Sequence, residues 1–323
     1  MRRKLILDVD TGTDDAVAIM LAALHPDLDL VACTTVNGNV DVEQATDNTL
    51  RVLEHIGRPD IPVYQGLHRP IARNDFPIPR AVRNLTSYIH GFELDLPPPT
   101  IAKQPRHAVD FLVDTYRHAT DDIALVPLGP MSNVATALLM APDFAQSVPE
   151  VVMMGGAHAI GNITPSAGFN TWSDPEAVSS VLDAGFRKLT MIPIDATHQA
   201  LITRDDCREL ARAGTPAGIA AAKAIERRID GHNAGQPMHI PDSAPVHDPL
   251  CVAFLADPLV VTTRHLHVAI ETRGEFTLGR TVIDVSLRGG KEANCHVALT
   301  ADRDRFVAML KSVLGGSVAS QAR

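Results

Sequence analysis

Short apolar runs recur along this chain with amphipathic stretches between them, and that alternation narrows the fold more than any other feature. The runs are Leu5 to Val9, Leu30 to Val36, Ile123 to Leu128, Val151 to Met154 and Leu189 to Ile194. Between them Val42 to Ile56, His107 to Tyr116, Asn133 to Met140 and Asp174 to Leu182 repeat with helical spacing. Strand, helix, strand, helix in this order predicts an α/β protein with a largely parallel sheet. The alternation runs unbroken to about Ile194, which predicts one domain there rather than two. Residues 203 to 256 then read as mostly helical, with a polar loop at "DGHNAGQPMHIPDSAP". "HLHVAIET", "TLGRTVIDV" and "NCHVAL" read as strands closing an edge, and a helix is expected from about Asp302 to Leu314. We expect a single domain over 1–314 and a flexible tail over 315–323. Arg69 to Pro99 is proline-rich and without pattern; loops this long cover a site or move.

The sharpest local feature is "ILDVDTGTDDAVAIM", where Asp8, Asp10, Asp14 and Asp15 crowd the turn from a strand into a helix. Gly12 permits a sharp turn, and Asp14 or Asp15 can cap the helix. Capping accounts for one or two aspartates and not for four. Two carboxylates about 6 Å apart repel by roughly 2–3 kcal/mol at an effective dielectric near 20. An acidic group at a helix start gains only about 0.3–1 kcal/mol. A partner cation is therefore expected. With oxygen donors only, it is a hard one, Ca²⁺ or Mg²⁺. An EF-hand is excluded, because the twelfth position from Asp8 is Ile19 and a strand precedes the loop. A haloacid-dehalogenase-type phosphatase, with Asp8 as nucleophile and Asp10 as acid/base, stays open.

Other strand ends are also loaded with polar residues: Asn37 and Asn39, then Ser132 and Asn133, then His158 and Asn162. Ligands of open α/β sheets sit outside the carboxyl ends of strands. Any single asparagine there is turn chemistry. Several after successive strands point to hydroxyl recognition, since an amide both donates and accepts. "VHDP" places His247 and Asp248 at a helix start, where Asp248 alone reads as an N-cap; "SDPEA" reads the same way for Asp174, with Pro175 in the first turn.

The bulk numbers exclude other classes. A net charge of -9 argues against a nucleic-acid backbone binder. No run reaches the roughly 18 apolar residues that span a membrane. The basic start "MRRKLILDVD" meets Asp8 too early for a signal peptide, so the cytoplasm is the expected location. Cys33, Cys207, Cys251 and Cys295 are far apart and predict buried free thiols rather than zinc ligands or disulfides.

Taken together the motifs resemble the inosine-uridine-type nucleoside hydrolases. "DVDTGTDDAVA", "NGNV", "LVPLGPMSNVA", "VMMGGA", "FNTWSDPEA", "VHDP" and "GEFTLGRTVIDV" follow in that family's order from Leu5 to about Leu310. The resemblance implies an open Rossmann-like, mostly parallel sheet flanked by helices, with extra C-terminal helices and edge strands. It implies a Ca²⁺ held by Asp10, Asp15, Asp248 and the backbone carbonyl of Leu128. Asp10 would be general base on a water held by that ion. Asp14, Asn39 and Asn170 would bind ribose hydroxyls, with Asn162 and Met154 lining the same pocket. His247 would assist departure of the base, and His90 would sit in a flap over it. Asp8 would orient its neighbours. The partners implied are a small nucleoside and further copies of the chain, as a homodimer or homotetramer, with no nucleic acid and no membrane.

Three departures stand out. The family's "AEFN" reads "AGFN", so Gly168 replaces a glutamate that binds the ribose 5′-hydroxyl. This points either to a weaker hydrolase of ordinary nucleosides or to a sugar altered at the 5′ position. The flap "HGFELDLPPP" lacks the family's glycine-rich run. The helix before "VHDP" carries Arg227, Arg228 and His232 where tyrosines often stand; they either reach a base or, the preferred reading, are solvated charges. Phe169 and Trp172 are left as rings able to stack on a base. The competing functions are the phosphatase above and a non-catalytic nucleoside or sugar binder.

Overall fold

The computed structural model describes residues 2–79 and 90–316. Its strands are β1 (Arg3–Val9), β2 (Leu28–Thr35), β3 (Val63–Gln65), β4 (Ile123–Pro127), β5 (Val151–Met154), β6 (Leu189–Ile192), β7 (Leu201–Thr203), β8 (Ser243–Pro245), β9 (Val261–Leu266), β10 (Val268–Ile270), β11 (Thr281–Ile283) and β12 (Cys295–Ala301). The helices are α1 (Thr13–Leu24), α2 (Val42–His55), α3 (Ala108–His118), α4 (Ser132–Met140), α5 (Phe144–Ser147), α6 (Phe169–Ser173), α7 (Pro175–Asp183), α8 (Ile194–Thr197), α9 (Arg204–Arg212), α10 (Pro216–Gly235), α11 (His247–Ala256) and α12 (Arg303–Leu314).

The main sheet has eight strands in the order β3-β2-β1-β4-β5-β6-β12-β9. Its pairs are parallel apart from β12 with β9. From β1 the chain winds outward through β2 and β3, then returns to the other side of β1 with β4. The winding reverses between β1 and β4, and the crevice beyond their carboxyl ends is where such sheets hold ligands. Leu5 to Val9 are all fully buried, as expected of a strand covered by helices on both faces. Helix α1 is buried from Thr13 to Ala23, so its start cannot move without disturbing the core.

Two readings of the sequence need correction. "HLHVAIET" is not one strand. The chain breaks at His267: β9 edges the main sheet, while β10 pairs antiparallel with β11 apart from it. The Asn294 amide accepts from Val268 N at 2.8 Å and donates to Val268 O at 3.0 Å, replacing a strand partner at the break. The stretch from 203 also contains strand β8 inside its polar loop, paired antiparallel with β7. The Asp174 cap is as read: its carboxylate accepts from Ala177 N at 3.2 Å. It also takes Ser132 Oγ at 2.6 Å and Ile71 N at 2.8 Å.

Residues 317–323 of the expected tail, and 80–89 of the long loop, lie outside the described residues. No helix among the described residues is long and apolar enough to cross a membrane. All four cysteines are buried and unpaired, and burial pushes the thiols of Cys207 and Cys295 up to about 12. Thiol titration with Ellman's reagent is therefore expected to find essentially none in the folded protein and all four after denaturation. Rapid labelling of the native protein would contradict this.

Candidate active site at the β1/β4 switch point

Each of the four aspartates has its own surroundings. Asp8, still on β1, accepts from Thr34 Oγ1 at 2.6 Å and from Asn133 Nδ2 at 2.7 Å. Asn133 in turn donates to Thr35 O at 2.9 Å and accepts from Leu67 N at 2.9 Å. Asp8 thus clips β1 to β2 and to the start of α4. Burial raises its carboxyl to about 7. Fully buried and held by these two donors, Asp8 does not suit the accessible nucleophile that the phosphatase reading requires.

Asp10 leaves the end of β1 with one oxygen engaged and one alone. Oδ2 accepts from Asn39 N at 2.6 Å, while Oδ1 is buried without a partner. Burial first, and then the charge of Asp15, holds its carboxyl well above the usual range. Glycines make room for it. A Cβ at Gly38 would stand 1.9 Å from Oδ2, and one at Gly129 would stand 2.9 Å from Oδ1.

The N-cap of α1 is Gly12, not an aspartate. Asp15, at the third helical position, caps from within: it accepts from Gly12 N at 2.9 Å and Asp10 N at 3.2 Å. Asn39 Nδ2 also reaches it at 3.2 Å. Even so, burial raises Asp15 to about 6. Asp248 lies in the first turn of α11, whose N-cap is Val246, so the capping role expected for Asp248 is absent. Burial, then the charges of Asp14, Asp15 and Asp10, holds it well above the usual range.

One carboxylate oxygen each from Asp14, Asp15 and Asp248 lies within 4.8 Å of the others. The expected trio had Asp10 in place of Asp14; Asp10 stands just outside, held by the Asn39 amide. The Leu128 carbonyl accepts from Asn170 Nδ2. The donor set is all oxygen, buried and short of positive charge, with the unpartnered Oδ1 of Asp10 beside it. These residues fit a hard divalent cation.

One pocket brings the remaining expected residues together: Asp14, Asn39, His90, Leu128, Met154, Asn162, Gly168, Phe169, Asn170, His247 and Asp248 all line it. Asn170 Nδ2 also reaches Met154 O at 3.2 Å, and Asn162 Oδ1 accepts from Phe169 N at 2.9 Å. His90 Nδ1 stands 3.5 Å from Asp14 Oδ1, and burial lowers its pKa to about 3. His247 Nδ1 is 2.7 Å from Thr197 Oγ1; burial, then the charge of Arg228, holds its pKa well below the usual range.

Residues 5–308 match the family model described as inosine-uridine preferring nucleoside hydrolase. The chain belongs to that family. It is 36% identical over 321 residues to the pyrimidine-specific ribonucleoside hydrolase RihB of Escherichia coli, covering 98% of each chain. Among solved structures it resembles the purine-preferring ribonucleoside hydrolase from Gardnerella vaginalis, with a TM-score of 0.88 and 32% identity over 97% of this chain and 98% of that one. A plant nucleoside hydrolase, PpNRh1, gives a TM-score of 0.85 at 30% identity, over 98% of this chain and 99% of that one.

The departures of this nucleoside hydrolase can now be placed. Gly168 is the N-cap of α6 with an ordinary φ of -79°, so its backbone does not demand glycine. A Cβ there would meet Ile194 Cδ1 at 3.1 Å and Gly156 O at 3.3 Å. Trp172 is not a stacking ring for a base. It is buried against Phe76, and Gly279 packs on its backbone. Phe169 does line the pocket, edge-on to Phe76 at 5.9 Å.

The largest correction concerns α10. Arg227 is exposed, as expected, but Arg228 and His232 are each 2% exposed and line the pocket. Arg228 donates from Nε to Pro245 O at 2.9 Å and from Nη1 to Thr13 Oγ1 at 3.3 Å. Its Nη1 pairs with Asp14 Oδ1 at 2.9 Å. His232 turns Nδ1 toward Gln236 O at 3.2 Å and keeps a buried Nε2 without a partner. The spacing held the signal. Arg228, His232 and Gln236 follow at every fourth position, flanked by the buried Ile225 and Ile229, so they share an inward face.

Proposed function

We propose that this nucleoside hydrolase cleaves the N-glycosidic bond of a ribonucleoside, or of a relative altered at the 5′ position, with a calcium ion at the carboxylate cluster. The observation that carries the reading is the buried, unpartnered Oδ1 of Asp10 beside the converging oxygens of Asp14, Asp15 and Asp248. Asp15 and Asp248, with Asp10 and the Leu128 carbonyl, are the residues that would hold the ion. When bound it would acidify a water and orient sugar hydroxyls. Asp10 takes the proton of the attacking water. Asp14, Asn39 and Asn170 bind the hydroxyls, and the anionic cluster stabilises the oxocarbenium-like sugar. His247, held by Thr197, faces the leaving base, and His90 closes beside Asp14. The wall along α10 offers that base polar groups rather than an aromatic face.

The test is a panel of purine, pyrimidine and 5′-modified nucleosides, assayed for free base with calcium and with chelator. No turnover of any member sinks the reading. Gly168 sets the sugar. The 5′-altered substrate is supported by the loss of one charge-assisted hydrogen bond, worth about 1.5–3 kcal/mol. Gly168→Glu is accordingly expected to shift the ratio of kcat/KM toward ordinary ribosides by roughly 10- to 150-fold. Unchanged selectivity would leave only the weaker-hydrolase reading. The family resemblance supports a homodimer or homotetramer, which light scattering checks, and the acidic chain supports a soluble, cytoplasmic role on free nucleosides.

A further inference from the structure

We infer that Arg228 and the cation compete for Asp14, so that Arg228 weakens metal binding and keeps Asp14 available to the ligand. This rests on the reading of Asp14, Asp15 and Asp248 as the edge of a cation site. The three carboxylates are not equivalent. Asp15 is engaged by backbone amides and by Asn39. Asp14 alone in the trio has a permanent cation at ion-pair distance, Arg228 Nη1 at 2.9 Å. Both partners are nearly inaccessible, with side chains 2% and 4% exposed, so water screens the pair little.

Arg228 is also a fixed competitor. Its Nε is held by Pro245 O and its Nη1 by Thr13 Oγ1 as well as by Asp14. Pro245 ends β8, just before His247 and Asp248, so one guanidinium ties α1 to the segment that carries Asp248. It cannot follow an incoming ion. The charge count explains why both cations are tolerated. Asp10, Asp14, Asp15 and Asp248 would bring four buried negative charges when ionised. A divalent ion offsets two and Arg228 a third. Moving Asp14 wholly to the ion would leave Arg228 buried without a counter-charge, a cost the ion's affinity must bear.

Calorimetric titration of the full-length protein with calcium alone tests this without reference to turnover. Arg228→Met is expected to bind calcium at least tenfold more tightly than wild type. Arg228→Gln, which keeps a donor for Pro245 O, is expected to do the same if the methionine variant fails to fold. In an Asp14→Asn background the Arg228 substitution is expected to change affinity less than threefold, because the contested group is gone. Equal tightening in both backgrounds would mean simple charge repulsion and would overturn the inference. Unchanged or weaker binding by both single Arg228 variants would overturn it too. A wild type that takes up no calcium would overturn the metal reading itself, and this inference with it; base release in the nucleoside panel remains a separate measurement.

Discussion

Asp10→Asn is expected to lower kcat for base release by about 10²–10⁴, the range of general-base contributions. The change is nearly isosteric, and the asparagine carbonyl can still accept from Asn39 N, as Asp10 Oδ2 does at 2.6 Å. What it loses is the proton acceptor at the buried, unpartnered Oδ1 and one negative charge. The charge loss works in the opposite direction on stability. Asp10 is one of the anions that press on Asp248. The metal-free variant should therefore melt at or above the wild-type temperature. Loss of activity together with a lower metal-free Tm would assign Asp10 a structural role instead. Retention of activity would move the base elsewhere.

Chelation is expected to abolish turnover and to lower Tm, both reversibly. A ligand present at 100 times its Kd stabilises the folded state by about 2.7 kcal/mol. The effect should be visible by calorimetry, because the cluster includes the first turn of α1, which is buried over most of its length. Calcium should restore both properties better than magnesium, since a site built from carboxylates on α1 and α11 and a backbone carbonyl suits a larger ion with irregular coordination. Asp248→Asn should reproduce the chelated state: no turnover, and little change in Tm on adding calcium. An enzyme that turns over fully in chelator would refute the proposed metal.

Most of the sheet was legible because β4, β5 and β6 are buried throughout, and β1 and β2 over their second halves, so that they appear as short, mostly apolar runs. The breaks were not. At His267 the strand ends because an asparagine 27 positions onward takes over its bonding at Val268, and no local pattern announces that. The same distinction holds at the site. Most of the expected site residues line the pocket, with Asp10 and Asp15 just beneath them, but the sequence could not show which oxygen of which aspartate was already spent. Asp8 faces Thr34 and Asn133, and the trio contains Asp14 rather than Asp10. For Arg228 and His232 the solvated reading was preferred over contact with a base because charge was weighed above spacing; their place on the face of Ile225 and Ile229 was the better guide. Trp172 erred the other way, since proximity in sequence to Phe169 and Asn170 did not bring it to the pocket.

The glycines flanking Asp10 give its carboxylate room. Neither Gly38 nor Gly129 has a left-handed backbone, so space alone demands them, at 1.9 Å and 2.9 Å from the carboxylate oxygens. A methyl group at either would press on the Asp10 side chain, and at Gly129 on Val36 Cγ1 as well, at 2.9 Å. If Asp10 is the base, a small substitution at either loop position is expected to cut turnover even with every aspartate kept. Gly38→Ala and Gly129→Ala, assayed for base release, check that expectation.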